Sequence, residues 1–383
     1  MGKGKIVFLK SSSSGCGGLE KYTKCLCEAF SARGHQVTLL TTHWNSQIAT
    51  KGFRVVDFGR KSKWSLRHLM QFDRDVSSWL SDNHVDVVFG LARNFYPQTF
   101  YRAGNGCHTA YLHHRKHFSS AFKRLTIAMN PLHWLICRME KETFLHPQLR
   151  TLFTNSQLVK REILEHYPEV DPDKIKVVLN GVEWKGLEIP FEESLQRRSD
   201  IQRSLDLDPD AYQFLFVGHE YQRKGLGLLL EALSSIKDRP FQLSVVGKEK
   251  NEASFKKRAK ELGLEEKVHF FGPQKEVTRF YQAADTCVIP SYYDPFANVT
   301  VEALAMGLFV VSSLMNGGSE VIFNEKMGCV FREFRPEVLA RTLTKAMNFP
   351  KSSESARSIR QKIEHLDFAH QIESIVSEVE EIL

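Results

Sequence analysis

Residues 5–42 read KIVFLKSSSSGCGGLEKYTKCLCEAFSARGHQVTLLTT and decide the fold class. The apolar, β-branched run at 5–10 predicts a strand, and 11–18 predicts a loop because it holds only serine, glycine and cysteine. From Leu19 onward the apolar residues recur at helical spacing, and 36–42 predicts a second strand. A strand, a helix and a strand in this order form a βαβ unit, which predicts a parallel sheet with a right-handed crossover.

The same alternation returns in the second half of the chain. Five short apolar runs separated by helical patterns predict further strands, at 213–217, 241–246, 268–271, 286–290 and 309–312. Strands that alternate with short helices predict a second doubly wound α/β domain. The segment 186–211 is polar and irregular, and we predict that the connection between the domains lies near it.

Charge is distributed unevenly along the chain. Residues 1–180 hold 26 Lys and Arg against 14 Asp and Glu, a charge of +12, whereas residues 181–383 hold 26 against 31, a charge of −5. The basic half predicts an anionic partner, unless its charges are simply solvated. The last segment, 368–383, predicts an amphipathic helix with an acidic face. Those acids either dock on the basic N-terminal domain or face solvent, and charge alone leaves both open.

Length and composition set the broad class. The 383 residues predict two domains and leave room for a third, while 42% hydrophobic and 25% charged residues exclude disordered and fibrous proteins. No stretch approaches the roughly 18 apolar residues of a membrane span, and the apolar run at 6–9 is too short for a signal peptide. The seven cysteines are scattered without a CxxC pair, which disfavours a disulfide framework or a zinc site and fits a reducing cytoplasm.

Two loops contain residue types that suit a phosphate ligand. Gly17 and Gly18 end a GxGG run before a helix, where glycine permits close backbone approach and the helix N-terminus favours an anion. A tight turn is the other interpretation, and the lack of GxGxxG disfavours a nicotinamide dehydrogenase. Gly218 opens a second loop after a strand. Within it, Arg223 and Lys224 either clamp a diphosphate or form a solvated basic turn.

A third loop leads from the strand at 286–290 into a helix. Asp294 precedes that helix and could cap it. Glu302 lies about two turns into the helix among apolar neighbours, and burying an unpaired charge is costly, so it needs a partner such as a pair of sugar hydroxyls. The amides of the first turn, exposed by the small Ala297, could hold phosphate.

Together these motifs resemble the retaining nucleotide-sugar glycosyltransferases of family 4, which have the GT-B fold. The motifs that carry the resemblance are Gly17-Gly18, Asn180-Gly181-Val182, Arg223-Lys224-Gly225, and Asp294-x7-Glu302 followed by Ala-Leu-Ala-Met-Gly307. The resemblance covers nearly the whole chain and is strongest over 214–322. It implies two facing Rossmann-like, doubly wound domains with a C-terminal crossover helix. The N-terminal, acceptor-binding domain would be 1–185 plus 368–383, and the donor-binding domain 186–367.

The resemblance also implies a role for each motif. Glu302 would bind the ribose hydroxyls and Asp294 the donor sugar, while Arg223 and Lys224 would bind the diphosphate and stabilise the leaving group. Gly218 would also lie at the donor. The amides at the helix start would hold the sugar or the distal phosphate, namely those of Phe296, Ala297, Asn298 and Val299. Gly17 and Gly18 would admit the diphosphate or the acceptor.

Within the family, the resemblance is greatest to the lipopolysaccharide-core glucosyltransferase type. Residues 101–111, YRAGNGCHTAY, resemble its acceptor-side loop, so His108 is a candidate to position the donor sugar; the other interpretation is a hydrogen-bonded structural histidine. Two positions depart from the family pattern. Asp294 is one methylene shorter than the usual glutamate, and Phe309 stands where proline is usual.

Residues 111–138 combine basic side chains with aromatic and aliphatic ones and contain no Asp or Glu. This composition suits an anionic membrane surface, which we expect four residues to contact: Arg115, Lys116, Lys123 and Arg124. Pro131 prevents one unbroken helix. A helix packed on the N-terminal sheet would have a similar composition. Nucleic acid is an alternative anionic partner, but the sequence contains no recognised nucleic-acid motif, so none is expected.

The predicted reaction transfers a hexose, glucose from UDP-glucose, to a lipopolysaccharide core or similar glycolipid with retention of the anomeric configuration. The protein would act as a cytoplasmic, peripheral enzyme on the inner face of the membrane. Since Arg223 and Lys224 supply positive charge, we expect no metal and no cofactor besides the nucleotide-sugar co-substrate. The alternatives are a transferase with another donor such as ADP-heptose, a nucleotide-sugar 2-epimerase, or a non-catalytic membrane-associated scaffold.

Overall fold

The computed structural model describes residues 3–11, 18–44, 50–59, 62, 64–115, 126–127 and 129–382. The chain divides into two compact units. Unit 1 comprises residues 1–179 and 370–383, and unit 2 comprises residues 180–369. The predicted domain boundaries, 185/186 and 367/368, therefore fall a few residues inside unit 2 at both junctions.

Unit 1 is built on a seven-stranded parallel sheet with the order β3-β2-β1-β4-β5-β6-β7. Its strands are β1 (Lys5–Lys10), β2 (Gln36–Thr41), β3 (Arg54–Asp57), β4 (Val87–Gly90), β5 (Phe100–Ala103), β6 (Thr151–Thr154) and β7 (Ile175–Val177). The central strands β1, β4, β5 and β6 are almost wholly buried, as expected for a parallel sheet covered on both faces, although β5 includes Arg102 and β6 begins and ends with threonine.

Within the described part of unit 1, five helices with defined bounds lie between these strands. They are α1 (Gly18–Ala32), α2 (Ser65–Asp82), α3 (His108–Arg115), α4 (Pro131–Phe144) and α5 (Gln157–His166). Asn130 caps α4, because its Oδ1 accepts a hydrogen bond from the N–H of Leu132 at 3.0 Å. Pro131 occupies the first helical position, as expected for a residue without an N–H. The helical pattern therefore restarts at Pro131 rather than running through it.

Unit 2 contains a six-stranded parallel sheet with the order β10-β9-β8-β11-β12-β13. Its strands are β8 (Tyr212–Val217), β9 (Phe241–Val246), β10 (Val268–Gly272), β11 (Thr286–Ile289), β12 (Phe309–Ser313) and β13 (Gly328–Phe331). Two Rossmann-like parallel-sheet units are therefore present, which confirms the predicted fold class.

The helices of unit 2 surround this sheet. They are α6 (Glu188–Ser204), α7 (Leu226–Ser234), α8 (Glu252–Glu261), α9 (Thr278–Ala283), α10 (Asn298–Ala305), α11 (Pro336–Ala346) and α12 (Ser353–Lys362). The core joins α7 to the sheet through Leu229 and Leu233, which are fully buried with Phe214 and Leu243. Burial of each such leucine contributes about 1.5–3 kcal/mol.

The helix α6 corrects one prediction. Residues 186–211 were expected to be irregular, yet α6 fills most of this range; the boundary between the units, at 179/180, lies just before it, near the predicted connection. Its buried residues are only Phe191, Ser194 and Gln202, so the sequence has no clear apolar stripe. Polar contacts help to dock it, since Nε2 of Gln202 donates to the carbonyl of Ala283 at 2.9 Å.

The last helix, α13 (Phe368–Glu380), packs on unit 1 from His370 onward. Its acidic face meets basic residues there: Glu380 and Glu373 both pair with Arg33, and Glu378 pairs with Lys176. Nε2 of His35 also lies 3.0 Å from Oε1 of Glu380. The structure therefore supports the docked alternative for the acidic face.

Candidate active site

The predicted donor residues of unit 2 lie at the carboxyl edge of its sheet, in the loops that follow β8 and β11. These strands are neighbours, with Phe214 beside Thr286 and Leu215 beside Cys287, so the two loops leave the sheet side by side. The direction in which successive strands are added to the sheet also reverses here. The next strands along the chain, β9 and β10, lie on one side of β8, whereas β11, β12 and β13 lie on the other. Open α/β sheets bind ligands at such a reversal point.

Gly225 brings the two loops into contact. It has a φ of +79°, and a Cβ built on it would lie 2.0 Å from the carbonyl oxygen of Pro290, the residue that directly follows β11. Only glycine fits this position without strain. The N–H of Tyr292 also donates to the carbonyl of Arg223 at 3.0 Å. Arg223 and Lys224 are thereby held against the loop that carries Asp294.

Asp294 is the electrostatic centre of these loops. Its Oδ2 lies 2.5 Å from Nζ of Lys224 and 3.2 Å from Nη1 of Arg223, and its side chain is buried, with 7% of the residue exposed. Arg223 also donates from Nη1 to the carbonyl of Tyr293 at 3.0 Å and pairs through Nε with Glu220 at 2.6 Å. Three residues predicted to bind the donor therefore form one cluster.

The charges of this cluster keep Asp294 ionised. Burial alone would raise the pKa of the Asp294 carboxyl, but the charges of Lys224 and Arg223 outweigh that effect and lower it. Burial lowers the pKa of Arg223, and the charges and hydrogen bonds of Asp294 and Glu220 raise it by more. The cluster thus holds two cations at the carboxyl edge of the sheet. The Asp294 carboxylate neutralises part of their charge, and an incoming anion could replace it.

Asn316, which the sequence analysis did not single out, fixes the start of α10. It is fully buried, and its Oδ1 accepts from the N–H groups of Ala297 and Gly318 at 2.9 and 3.0 Å. Its Nδ2 donates to the hydroxyls of Thr300 and Ser312, both at 3.0 Å. The Asn-Gly-Gly turn after β12 was the available signal, but a turn pattern does not reveal which distant groups the side chain reaches.

The amides at the start of α10 divide into two pairs. The N–H of Phe296 donates to Oδ1 of Asp294 at 3.2 Å, and that of Ala297 donates to Asn316. Asn298 and Val299 follow as the first helical residues, and within the described ranges their N–H groups have no protein acceptor. Of the four predicted phosphate-binding amides, these two remain for a ligand. Asp294 does not cap α10, because Ala297 occupies the cap position.

Glu302 lies in α10, half-buried, and has the partner that its burial requires. The hydroxyl of Tyr281 donates to its Oε2 at 2.7 Å. Burial raises the pKa of Glu302 above its usual value, although this hydrogen bond and the charge of Lys224 oppose the rise. The sequence predicted that a partner was needed but did not identify Tyr281. Its hydroxyl reaches Glu302 from α9, a different element.

His108 belongs to unit 1, whereas the cluster around Asp294 belongs to unit 2. It begins α3, and its N–H donates to both carboxylate oxygens of Glu140 at 2.9 Å. Its Nε2 lies 3.0 Å from Nδ1 of His133, so one ring donates to the other. Burial, reinforced by the charges of Arg93 and other groups, lowers the pKa of His108 to about 3. The imidazole is therefore neutral at neutral pH.

The other predicted site residues are only partly described. Gly18 is the first residue of α1, and Gly218 directly follows β8. Arg115 ends α3, and its guanidinium lies 5.8 Å from the ring centre of Tyr111. The remaining predicted residues lie outside the described part of the chain: Gly17, Lys116, Lys123 and Arg124.

Two further properties concern membranes and metals. Among the helices that the structure describes, none has both the length and the apolarity needed to cross a bilayer. Within the same residues, no three His, Cys, Asp or Glu side chains are grouped so that they could hold a metal ion. The expected independence from metal stays a prediction.

Comparison with known families gives two matches that together cover most of the chain. Residues 16–184 match the model described as Glycosyltransferase Family 4. Residues 197–364 match the model described as Glycosyl transferases group 1. The two matches fall on either side of residue 185: the first lies in unit 1 apart from residues 180–184, and the second lies in unit 2.

Individual proteins similar to the chain include curated relatives and solved structures. The lipopolysaccharide glucosyltransferase WaaG of Escherichia coli (strain K12) is 26% identical over 337 residues, which is 86% of each chain. A D-inositol 3-phosphate glycosyltransferase of Corynebacterium efficiens is 28% identical over 202 residues, covering 50% of this chain and 47% of the relative.

Among solved structures, the crystal structure of WaaG, a glycosyltransferase involved in lipopolysaccharide biosynthesis, has a TM-score of 0.78 at 22% identity. The match covers 97% of this chain and 98% of the WaaG chain. HepE of Anabaena in complex with UDP has a TM-score of 0.72 at 17% identity, and the match covers 98% of this chain and 100% of the HepE chain. At these identities the structural matches establish the fold alone. With the two family matches, they show that the chain is a glycosyltransferase of the family 4 and group 1 type with the GT-B fold.

Proposed function

We propose that this glycosyltransferase transfers glucose from UDP-glucose to a lipopolysaccharide core or similar glycolipid and retains the anomeric configuration. The observation that carries the proposal is the cluster of Arg223 and Lys224 on Asp294 beside the two available amides of α10. The names of the similar proteins support the substrates: WaaG is a lipopolysaccharide glucosyltransferase, and HepE has been solved with UDP-glucose.

The cluster suits the departure of a nucleoside diphosphate. Arg223 offers a fork of donors and Lys224 a compact charge, and together they would bind the two phosphates. As the bond to the sugar breaks, negative charge grows on the leaving oxygen, and cations already in place stabilise that charge at low reorganisation cost. The amides of Asn298 and Val299 would add two donors at a helix N-terminus. This positive charge is our reason to propose transfer without a metal.

The carboxylates would orient the donor. In this proposal the diphosphate replaces Asp294 as the partner of Arg223 and Lys224. The Asp294 carboxylate then accepts hydrogen bonds from the sugar hydroxyls. Glu302 would accept from the ribose hydroxyls. The acceptor hydroxyl would approach on the face that the diphosphate leaves and pass its proton to the departing phosphate oxygen. The new glycosidic bond then forms as the bond to the diphosphate breaks, so no covalent bond to the enzyme is required. His108, as a neutral ring, would position a hydroxyl rather than donate a proton in the reaction.

We also propose that unit 1 binds the inner face of the cytoplasmic membrane peripherally. Within the basic segment, residues 111–138, Met129 is 74% exposed and Trp134 is 67% exposed. The guanidinium of Arg138 lies 5.9 Å from the ring of Trp134. Exposed aromatic residues next to cations suit the interface between lipid headgroups and acyl chains.

A binding panel followed by a transfer assay tests the reaction. The melting temperature would be measured with UDP, UDP-glucose, ADP, ADP-heptose, GDP and NAD, since a ligand of the native state raises it. We expect a rise with UDP and UDP-glucose alone, followed by transfer to a core oligosaccharide acceptor and an α-anomeric product by NMR. A rise with adenine ligands would favour ADP-heptose as donor. Conversion of the nucleotide sugar to its 2-epimer in the absence of an acceptor would indicate the epimerase. No rise in melting temperature with any of the six ligands would indicate the scaffold.

Sedimentation with anionic phosphatidylglycerol vesicles tests the membrane proposal. One variant replaces by glutamine the four residues of the basic segment: Arg115, Lys116, Lys123 and Arg124. We expect its vesicle affinity to fall at least about tenfold, because each cation near such a surface contributes about 1 kcal/mol. The control makes the same replacement on α8 in unit 2, at Lys256, Lys257, Arg258 and Lys260. Equal binding by both variants would contradict the proposal.

A further inference from the structure

Tyr281 contacts the proposed ribose-binding carboxylate from an element that carries none of the predicted site residues. It lies in α9, is 3% exposed, and its hydroxyl donates to Oε2 of Glu302 at 2.7 Å. Within the described part of the chain, Oε1 of Glu302 receives no hydrogen bond. One carboxylate oxygen is thus anchored in the protein while the other remains for a ligand.

Three titratable groups face Glu302, each from a different element. Tyr281 approaches from α9, Lys224 from the loop after β8, and Cys287 from β11. Burial, with the charge of Glu302, raises the pKa of the Tyr281 phenol well above its usual value, so the phenol remains a donor throughout the working pH range. Burial also raises the pKa of Cys287 and keeps it neutral. Tyr281 is therefore the neutral donor that stabilises an ionised Glu302.

We infer that Tyr281 is a positioning residue for donor recognition: its hydroxyl fixes the plane of the Glu302 carboxylate and keeps it ionised, so that Oε1 accepts a ribose hydroxyl. This inference rests on the proposed function, which assigns the ribose to Glu302. A carboxylate that is free to rotate loses conformational entropy on binding, whereas an anchored one has already lost it. The inference predicts a specific coupling between the Tyr281 hydroxyl and the ribose hydroxyls.

The test compares two nucleotides and two tyrosine variants by calorimetry. Tyr281→Phe removes the hydroxyl, and Tyr212→Phe is the matched control, because the Tyr212 hydroxyl bonds Thr286 and the carbonyl of Ala346 at 2.6 and 2.7 Å. We expect Tyr281→Phe to weaken UDP binding about tenfold, as for a lost hydrogen bond to a charged group. Binding of 2′,3′-dideoxy-UDP, which lacks the ribose hydroxyls, should change less than about twofold. Tyr212→Phe should leave both affinities unchanged.

The pH dependence supplies a second readout that a purely structural role would not move. UDP affinity should fall as pH decreases and Glu302 takes up a proton. Since the Tyr281 hydrogen bond lowers the pKa of Glu302, its loss in Tyr281→Phe should move this fall to higher pH. Glu302→Gln, which cannot ionise, should remove this contribution and leave only the part of the pH dependence that arises from protonation of UDP itself.

Equal weakening of UDP and dideoxy-UDP by Tyr281→Phe, or an unchanged pH midpoint, would overturn the inference and leave the proposed function standing. Wild-type protein that binds no nucleoside diphosphate would instead contradict the proposed function, and the inference with it. A melting curve for each variant establishes that the comparison is made on folded protein.

Discussion

Asp294 in unit 2 and Glu140 in unit 1 are both buried carboxylates that pair with arginine, but their partners differ in kind. Glu140 is 1% exposed and accepts from the backbone N–H of His108, from Arg93 at 2.8 Å and from the hydroxyl of Tyr167 at 3.4 Å. Asp294 accepts one backbone hydrogen bond, from the N–H of Phe296 at 3.2 Å, and its other partners are two long cationic side chains, Arg223 and Lys224.

The difference separates a carboxylate that holds the fold from one that can exchange partners. A backbone N–H and a buried hydroxyl cannot leave Glu140 without disturbing α3 and its surroundings. Long lysine and arginine side chains can turn toward a phosphate with little change in the backbone. Burial and an arginine partner therefore do not by themselves distinguish the two carboxylates, whereas the kinds of their remaining partners do.

Removal of Glu140 should have the largest effect on stability. Glu140→Ala leaves the largely buried Arg93 cation without its partner, which costs about 3–5 kcal/mol. Hydrogen exchange at the amides of β5 and α4 measures the loss in unit 1 itself. The control is Glu142→Ala on the same helix, where an exposed pair with Arg138 should contribute less than about 1 kcal/mol. Similar losses in both variants would contradict the structural role of Glu140.

Removal of a cation beside Asp294 should affect catalysis instead. Lys224→Ala is expected to lower kcat/KM for transfer about 100- to 1,000-fold, because one preorganised charge no longer stabilises the leaving group. The melting temperature should fall less than in Glu140→Ala, because Arg223 still pairs with the buried Asp294 carboxylate. Lys256→Ala, which removes an exposed lysine of α8 paired with Glu252, is the control and should leave the rate unchanged. Near-normal transfer by Lys224→Ala would remove this lysine from the site.

Protonation of Asp294 at low pH should lower the free energy of unfolding, with a smaller effect than the two substitutions above. Because its pKa is lowered in the folded state, the unfolded chain binds more protons in the acidic range, and the stabilisation is present above the ordinary pKa of about 3.9 and lost as pH falls below it. Stability measured by denaturant between pH 7 and pH 3 should therefore fall more steeply in wild type than in Asp294→Asn. Parallel curves would show that Asp294 is not stabilised by the cations.

The sequence predicted the parts of this molecule that depend on local pattern. The apolar runs located β1, β8, β9 and β11 to within a residue or two, and glycine and charge marked the loop of Arg223 and Lys224. It did not predict α6, because a helix docked by polar side chains lacks an apolar stripe. It also missed Asn316 and Tyr281, whose functions lie in hydrogen bonds to groups far along the chain or on another element.

The acidic face of α13 illustrates the same limit. Composition showed a basic first half and an acidic helix, but only the fold places Arg33 between Glu373 and Glu380. Likewise, the predicted amides of α10 could be counted from the sequence, whereas the donation from Ala297 to Asn316 could not. Residue type indicates which chemistry is possible, and tertiary contacts decide which groups remain to perform it.

Unit 1 is assembled from both ends of the chain, and this has a consequence during synthesis. Residues 1–179 are synthesised before unit 2, whereas the segment from His370 that carries the partners of Arg33 and Lys176 is synthesised after it. At about 5–20 residues per second, the N-terminal sheet waits roughly 10–40 seconds for its final helix. During that interval unit 2 is synthesised while unit 1 still lacks this segment, so a chain that stops before residue 370 lacks the acidic partners of Arg33 and Lys176.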